Sequence, residues 1–193
     1  MLKWTNNATT QVNGVIFLDK LMTLIHQDVK RLDGSIFERR SARGIIMEGN
    51  QILLLYTRRY NDYSFPGGGL EPDEDLLTGL HREIAEETGA QHVEVIQKLG
   101  YIEEYRPHYK PEYDLIHMHS YYYVCKIDQV GEAKLEDYEI ANGSSAVWVD
   151  IHEAIAHNRQ VMANQEASMG FSIERETKVL ELIVEQMNTT HTP

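Results

Sequence analysis

Between residues 14 and 33 the apolar side chains Phe17, Leu21, Leu24, Ile25 and Leu32 return every three or four positions, with Asp19, Thr23, His26, Gln27 and Lys30 opposite and Asp28 intruding on the stripe. That spacing predicts an amphipathic helix over 14–33, serving as a lid on the core or as an arm for a homodimer. The period then shortens. Residues 45–47 and 51–56 are apolar runs around Glu48-Gly49-Asn50, the pattern of a β-hairpin whose turn takes up positive φ. A short strand at 63–65 runs into Pro66-Gly67-Gly68-Gly69, whose glycines leave backbone amides bare and admit close approach of a ligand. Asp75 as N-cap, the stripe Leu77, Leu80 and Ile84, and Gly89 as stop predict a helix over 76–88. Strands are predicted over 93–105, 115–127 and 146–149, and an amphipathic helix over 173–187. Strands and helices alternate, which predicts an α/β sandwich: a helical extension over 1–37, then a body over 38–193 that includes the C-terminal helix.

Composition narrows the partners. At 193 residues and 22.3 kDa, with 42% hydrophobic and 25% charged residues, the chain reads as one folded domain with an appendage. Its net charge of −12 repels a nucleic acid duplex or an anionic membrane, so a phosphate-bearing ligand needs a metal ion or a local basic patch. The lone Cys125 makes no intramolecular disulfide, and the longest early apolar stretch, 14–25, is interrupted by Asp19 and Lys20; a cytoplasmic protein is expected.

Glu83, Glu86 and Glu87 fall on one flank of the predicted helix 76–88. Like charges at that spacing weaken a bare helix, so they are either a solvated acidic face or the seat of a divalent cation. Their setting decides between the two. Gly68, Glu74, Arg82, Glu83, Glu86, Glu87 and Gly89, with Ile84, stand at spacings that closely resemble the Nudix box, and seven such positions coincide by chance at roughly 10⁻⁸ per window. Residues 65–69 before the box, and Trp148-Val149-Asp150 with Ala154 after it, are also similar to that family. Ala90 departs from it, since a bulkier aliphatic is usual there. Gly79, inside the helix one turn before Glu83, reads as space left for metal-bound waters.

The resemblance implies an α/β/α sandwich with a mixed sheet and hydrolysis of a nucleoside diphosphate linked to another group, assisted by Mg²⁺ or Mn²⁺. It implies Glu83, Glu86 and Glu87 as metal ligands, the Gly68 loop presenting backbone groups beside them, and an Arg82–Glu74 brace between loop and helix. The general base is Glu83 or a downstream acid among Glu132, Glu136, Asp137 and Glu139, with Glu139 chosen for its place in the connecting loop. Arg58, Arg59 and Arg106 are the candidate phosphate contacts, and Phe65, Tyr105 and Tyr109 the candidate base-stacking rings. Pro107, 17 residues after Ala90, is similar to a proline of the family's ADP-ribose and ADP-sugar hydrolases and favours such a conjugate as substrate. The alternatives are a nucleoside triphosphate pyrophosphohydrolase that sanitises the nucleotide pool, and a non-catalytic nucleotide-sensing module. Cys125 in mid-strand does not match the cysteine of the isoprenoid isomerases of this fold. His117 and His119 share a strand face and read as a satisfied pair in preference to a second metal site.

Overall fold

A computed structural model describes residues 11–12, 15–16, 20–108 and 110–189. They group into two compact units, each drawn from separated stretches of chain. The first takes β1 (Gln11–Val12) and β2 (Val15–Ile16), which pair with each other, together with Ile46–Phe65 and residues 134–189; the second takes residues 20–45 and 66–133.

In the second unit β3 (Lys20–Ile25) lies parallel to β8 (Val93–Pro107), which pairs antiparallel with β9 (Leu115–Ile127) along nearly its whole length. The first part of β4 (Ile36–Glu48) is the next strand after β9. Parallel and antiparallel pairs together make the ladder mixed. Ser41, Ala42 and Arg43 of β4 pair with β7 (Gly67–Gly69), so the glycine run is itself a short strand. Helix α1 (Leu76–Thr88) follows, capped by Asp75, which accepts the Leu77 and Thr78 amides, and ended by Gly89 in the left-handed region at φ 71°. Leu80 and Ile84 are fully buried, whereas Leu77 is 42% exposed, so the apolar stripe of α1 is narrower than the sequence pattern suggests.

In the first unit β5 (Gln51–Thr57) pairs with the end of β4 across a two-residue turn at Gly49-Asn50, and also with β6 (Asp62–Ser64) and β10 (Ser144–Asp150). Ile52, Leu53, Leu54 and Leu55 are all buried, the mark of a strand covered on both faces. Helix α2 (Asp137–Asn142) precedes β10. The last two helices are α3 (Ile151–Ala163), capped by Asp150, and α4 (Ile173–Thr189). Arg175 and Glu176 of α4 are 1% exposed and bonded to each other, and the second oxygen of Glu176 accepts the Phe65 amide at 3.2 Å.

Two expectations are corrected, and one helix was not expected. Residues 20–25 of the helix expected over 14–33 form strand β3, because the exposed backbone edge of β8 offers them a ladder and Lys20 and Thr23 both bond Glu103 across it; Phe17 lies outside the described residues. Helix α3 gave no separate signal in the sequence. The missing side chain of Gly79 leaves no room for water: Leu70 and Glu74 occupy the position a Cβ would take.

Candidate active site

The site is built where β7 meets α1. Gly67 has φ 123°, and a Cβ there would collide with the Ala42 carbonyl, so only glycine lets β7 pair with β4 this closely. Its amide donates to Glu87 of α1, which is 4% exposed. Next to it, a Cβ on Gly68 would fall on the Glu83 carboxylate. The glycine run therefore lies directly against the acidic flank of the helix: a side chain at 67 would collide with the backbone of β4, and one at 68 would displace the Glu83 carboxylate.

Arg82 organises that flank. Its Nε donates to Glu74 Oε1 at 3.0 Å and its Nη2 to Glu74 Oε2 at 3.1 Å, a two-pronged pair, while Nη1 reaches Glu83 at 3.0 Å and Glu86 at 3.2 Å. Nη2 also lies 3.4 Å from the Gly69 carbonyl. Glu74 additionally accepts the Glu71 amide at 2.9 Å, and these bonds, Arg82 first, hold its carboxyl below the usual range. Glu83 moves the other way: burial raises its pKa, and the charge of Arg82 only partly offsets this. The three box carboxylates thus stand along one flank, Glu87 on the Gly67 amide and Glu83 and Glu86 on Arg82. A divalent cation suits this setting, because it would offset the burial of Glu83, Glu86 is 38% exposed, and the bare Gly68 leaves the Glu83 carboxylate open to the loop.

Sequence reasoning missed the arginines of β4. Arg43 donates to the Gly67 carbonyl and its charge acts on Glu83; the Arg39 guanidinium lies where a Cβ of Gly69 would stand; Arg40 Nη2 is 3.4 Å from the Glu74 carbonyl. The signal was present as three arginines in five residues of an acidic chain.

The other candidates fall elsewhere. Arg58 and Arg59 are exposed in the first unit beside the end of α2, with Arg59 Nη1 3.0 Å from Asn142 Oδ1. Phe65 is fully buried there, which corrects its reading as a base-stacking ring: it is core. Glu139 is not in a loop but in α2, buried, with its carboxylate accepting the Glu136 amide at 2.8 Å across the first turn. In the second unit the Tyr105 ring is stacked on His117, with centroids 4.2 Å apart, and Arg106 lies 4.0 Å from the buried Glu104. Tyr109 lies outside the described residues.

A family model described as NUDIX domain matches residues 38–169. Over 59 residues the chain is 42% identical to an RNA pyrophosphohydrolase of Thioalkalivibrio sulfidiphilus, a match that covers 28% of this chain and 34% of that protein. Over 109 residues it is 30% identical to diphosphoinositol polyphosphate phosphohydrolase 3-beta of Bos taurus, covering 55% of this chain and 58% of the relative. The chain thus spans between about one third and three fifths of the length of the curated relatives it matches. A solved NUDIX hydrolase from Nitrosomonas europaea is similar in fold, with a TM-score of 0.53 at 17% identity, over 80% of this chain and 90% of that one.

Proposed function

Because the chain belongs to the Nudix family, we propose that it hydrolyses the diphosphate bond of a phosphorylated small molecule, with Mg²⁺ or Mn²⁺ held by Glu83, Glu86 and Glu87. The observation that carries this reading is the two-pronged Arg82–Glu74 pair, which pins the glycine run against the helix flank that bears the three carboxylates. A hard cation there supplies charge stabilisation on phosphate oxygens and a bound water of lowered pKa. The chain's own residues do the rest. Arg82 and Glu74 fix the flank, the Gly68–Gly69 backbone admits the substrate close to it, and Arg39 and Arg43 bring positive charge to the same loop. Glu83 is the proton acceptor we favour, since it faces the loop while the Glu139 carboxylate is engaged within α2.

For the substrate we propose a nucleoside diphosphate joined to a second group, of the ADP-ribose or nucleotide-sugar kind, a reading supported by the box and by Pro107. The row Arg39, Arg40 and Arg43 favours a second reading, a longer run of phosphates such as a triphosphate end, and one relative's name, RNA pyrophosphohydrolase, agrees with it. Comparing kcat/KM for ADP-ribose, a nucleotide sugar, a dinucleoside polyphosphate, nucleoside triphosphates and 5′-triphosphate RNA, with Mg²⁺ and Mn²⁺, tests both. A conjugate preferred by about tenfold, which is about 1.4 kcal/mol in the transition state, supports the first reading. A triphosphate preferred by that margin, with pyrophosphate released, replaces it with the second. No turnover of any diphosphate bond overturns the activity itself.

A further inference from the structure

The second unit carries another group of ligand-type side chains, none of them within the box. His117 and His119 stand two residues apart on β9, so their side chains leave the same face, with ring centroids 4.4 Å apart. Their cross-strand partners on β8 are Tyr105 and Glu103. Glu38 comes from β4, the strand on the other side of β9. One donor atom from each of Glu38, His117 and His119 lies within 4.8 Å of the other two, the one such group of metal-ligating side chains among the described residues. We propose that Glu38, His117 and His119 bind a divalent transition-metal ion of the zinc type, and that Glu103 is the outer carboxylate that orients His117 for it.

Two imidazoles and one carboxylate are the donor set that zinc accepts as three protein ligands, with a fourth position left for water, whereas Mg²⁺ prefers oxygen alone. The surroundings of His117 are an independent indication. Its Nδ1 is 2.9 Å from Glu38 Oε1 and its Nε2 is 3.1 Å from Glu103 Oε1. A metal-bound histidine characteristically gives its other ring N–H to a carboxylate, and Glu103 is held ready for that role. Lys20 Nζ at 3.0 Å and Thr23 Oγ1 at 2.9 Å both donate to its Oε2, while its Oε1 faces His117, with the Tyr105 hydroxyl at 3.4 Å and His119 Nε2 at 3.8 Å from the same oxygen. Tyr105, stacked at 8° on His117, fixes the plane of the ring.

His119 completes the set. Glu38 is 63% exposed, so its carboxylate can swing. Opening 2.9 Å to the roughly 3.3 Å expected between two tetrahedral ligands at about 2.0 Å needs only that rotation. An ion there would tie β4 to β9 and, through Glu103, to β8 and β3. Without an ion His117 is the satisfied histidine that the sequence leads one to expect, bonded through both ring nitrogens, and one of its partners, Glu38, stands 79 residues away, out of reach of any local pattern.

Calorimetric titration with Zn²⁺ in excess Mg²⁺ tests the proposal, using the full chain and a Glu83→Gln/Glu87→Gln variant in which the box is disabled. We expect one zinc site of about micromolar affinity or tighter in both proteins, weakened about 100-fold or more by Glu38→Ala or His119→Ala and about 10–100-fold by Glu103→Gln. Glu38→Ala removes an exposed side chain, so it reads the site even if the histidine variants fold poorly. Cobalt substitution gives a second readout: the intense visible bands of four-coordinate Co²⁺ should appear in the box variant and vanish with Glu38→Ala. Zinc binding that is lost in the box variant, or unchanged by Glu38→Ala and His119→Ala, overturns the proposal. Neither readout depends on hydrolysis, so its failure is distinguishable from failure of the proposed activity.

Discussion

At the scale of single residues, Glu83 and Arg82 make opposite predictions although they touch. Burial raises the pKa of Glu83, so its negative charge is a liability to the fold that a bound cation would offset. Glu83→Gln should therefore leave the melting temperature unchanged or slightly higher while lowering kcat by about 10² or more, and Glu87→Gln should do the same to kcat. Steady-state rates across a Mg²⁺ titration, beside thermal melts, check this; near-wild-type turnover at limiting metal would remove either residue from the ligand set. Arg82→Ala instead leaves Glu74, 8% exposed, without its two-pronged partner. The loss should be about 2 kcal/mol, or a Tm lower by about 4–8 °C, along with activity. Arg82→Lys keeps the charge without the fork and should fall between the two. If Arg82→Ala melted like the wild type yet lost activity, Arg82 would be a substrate contact.

At the scale of elements, the glycine strand β7 and the β4–β5 turn distinguish two reasons for glycine. Gly49 has φ 61° with nothing within 4 Å of a would-be Cβ, so Gly49→Ala meets only backbone strain, about 1 kcal/mol. Gly67 has φ 123° and a Cβ there collides with the backbone of β4 at Ala42, so Gly67→Ala adds a clash to the strain. It should cost more than about 2 kcal/mol and reduce activity, because the amide that bonds Glu87 must shift. Urea unfolding of the two variants measures the difference, and equal midpoints would mean that β7 is not constrained by β4. The cap of α1 is a milder case: Asp75→Ala removes the acceptor of two amides and should cost about 1 kcal/mol.

At the scale of the whole molecule, the pH dependence of stability should carry the mark of Asp62. Burial first, and then the neighbouring Glu176 charge, push it from 3.8 up to about 6. Between those values the folded chain binds more protons than the unfolded one, so this group makes stability fall as pH rises through that window. Above it the whole penalty applies, on the order of 1–3 kcal/mol. Asp62→Asn should accordingly raise Tm by several degrees near pH 8, with the gain shrinking to nothing near pH 4. Melts across that range test it, and a constant difference would show that the charge of Asp62 is not the cause. The opposite sign attends Arg175: its removal strands the buried Glu176 and should destabilise by about 3–5 kcal/mol.

The sequence by itself determined whatever depends on near neighbours in the chain. Helix α1 was legible to the residue, since its cap, stop and periodicity all lie within fifteen positions, and the flank carrying Glu83, Glu86 and Glu87 follows from helical geometry alone. The β4–β5 turn, strand β9 and the bounds of α4 to within two residues were legible for the same reason. Tertiary structure decided what depends on partners far away. Residues 20–25 have an apolar spacing that fits a helix, but the open edge of β8 and the carboxylate of Glu103 made them a strand, because a ladder bond and a cross-strand ion pair outweigh a weak local propensity. Phe65 looked like a ring for a base until the fold buried it. The arginines of β4 became part of the site only because three glycines let β7 lie beside them, and Glu38 met His117 only because β4 follows β9 in the ladder. Local periodicity fixes the conformation of a segment, whereas the company a side chain keeps is set by strand order, which no window of the sequence contains.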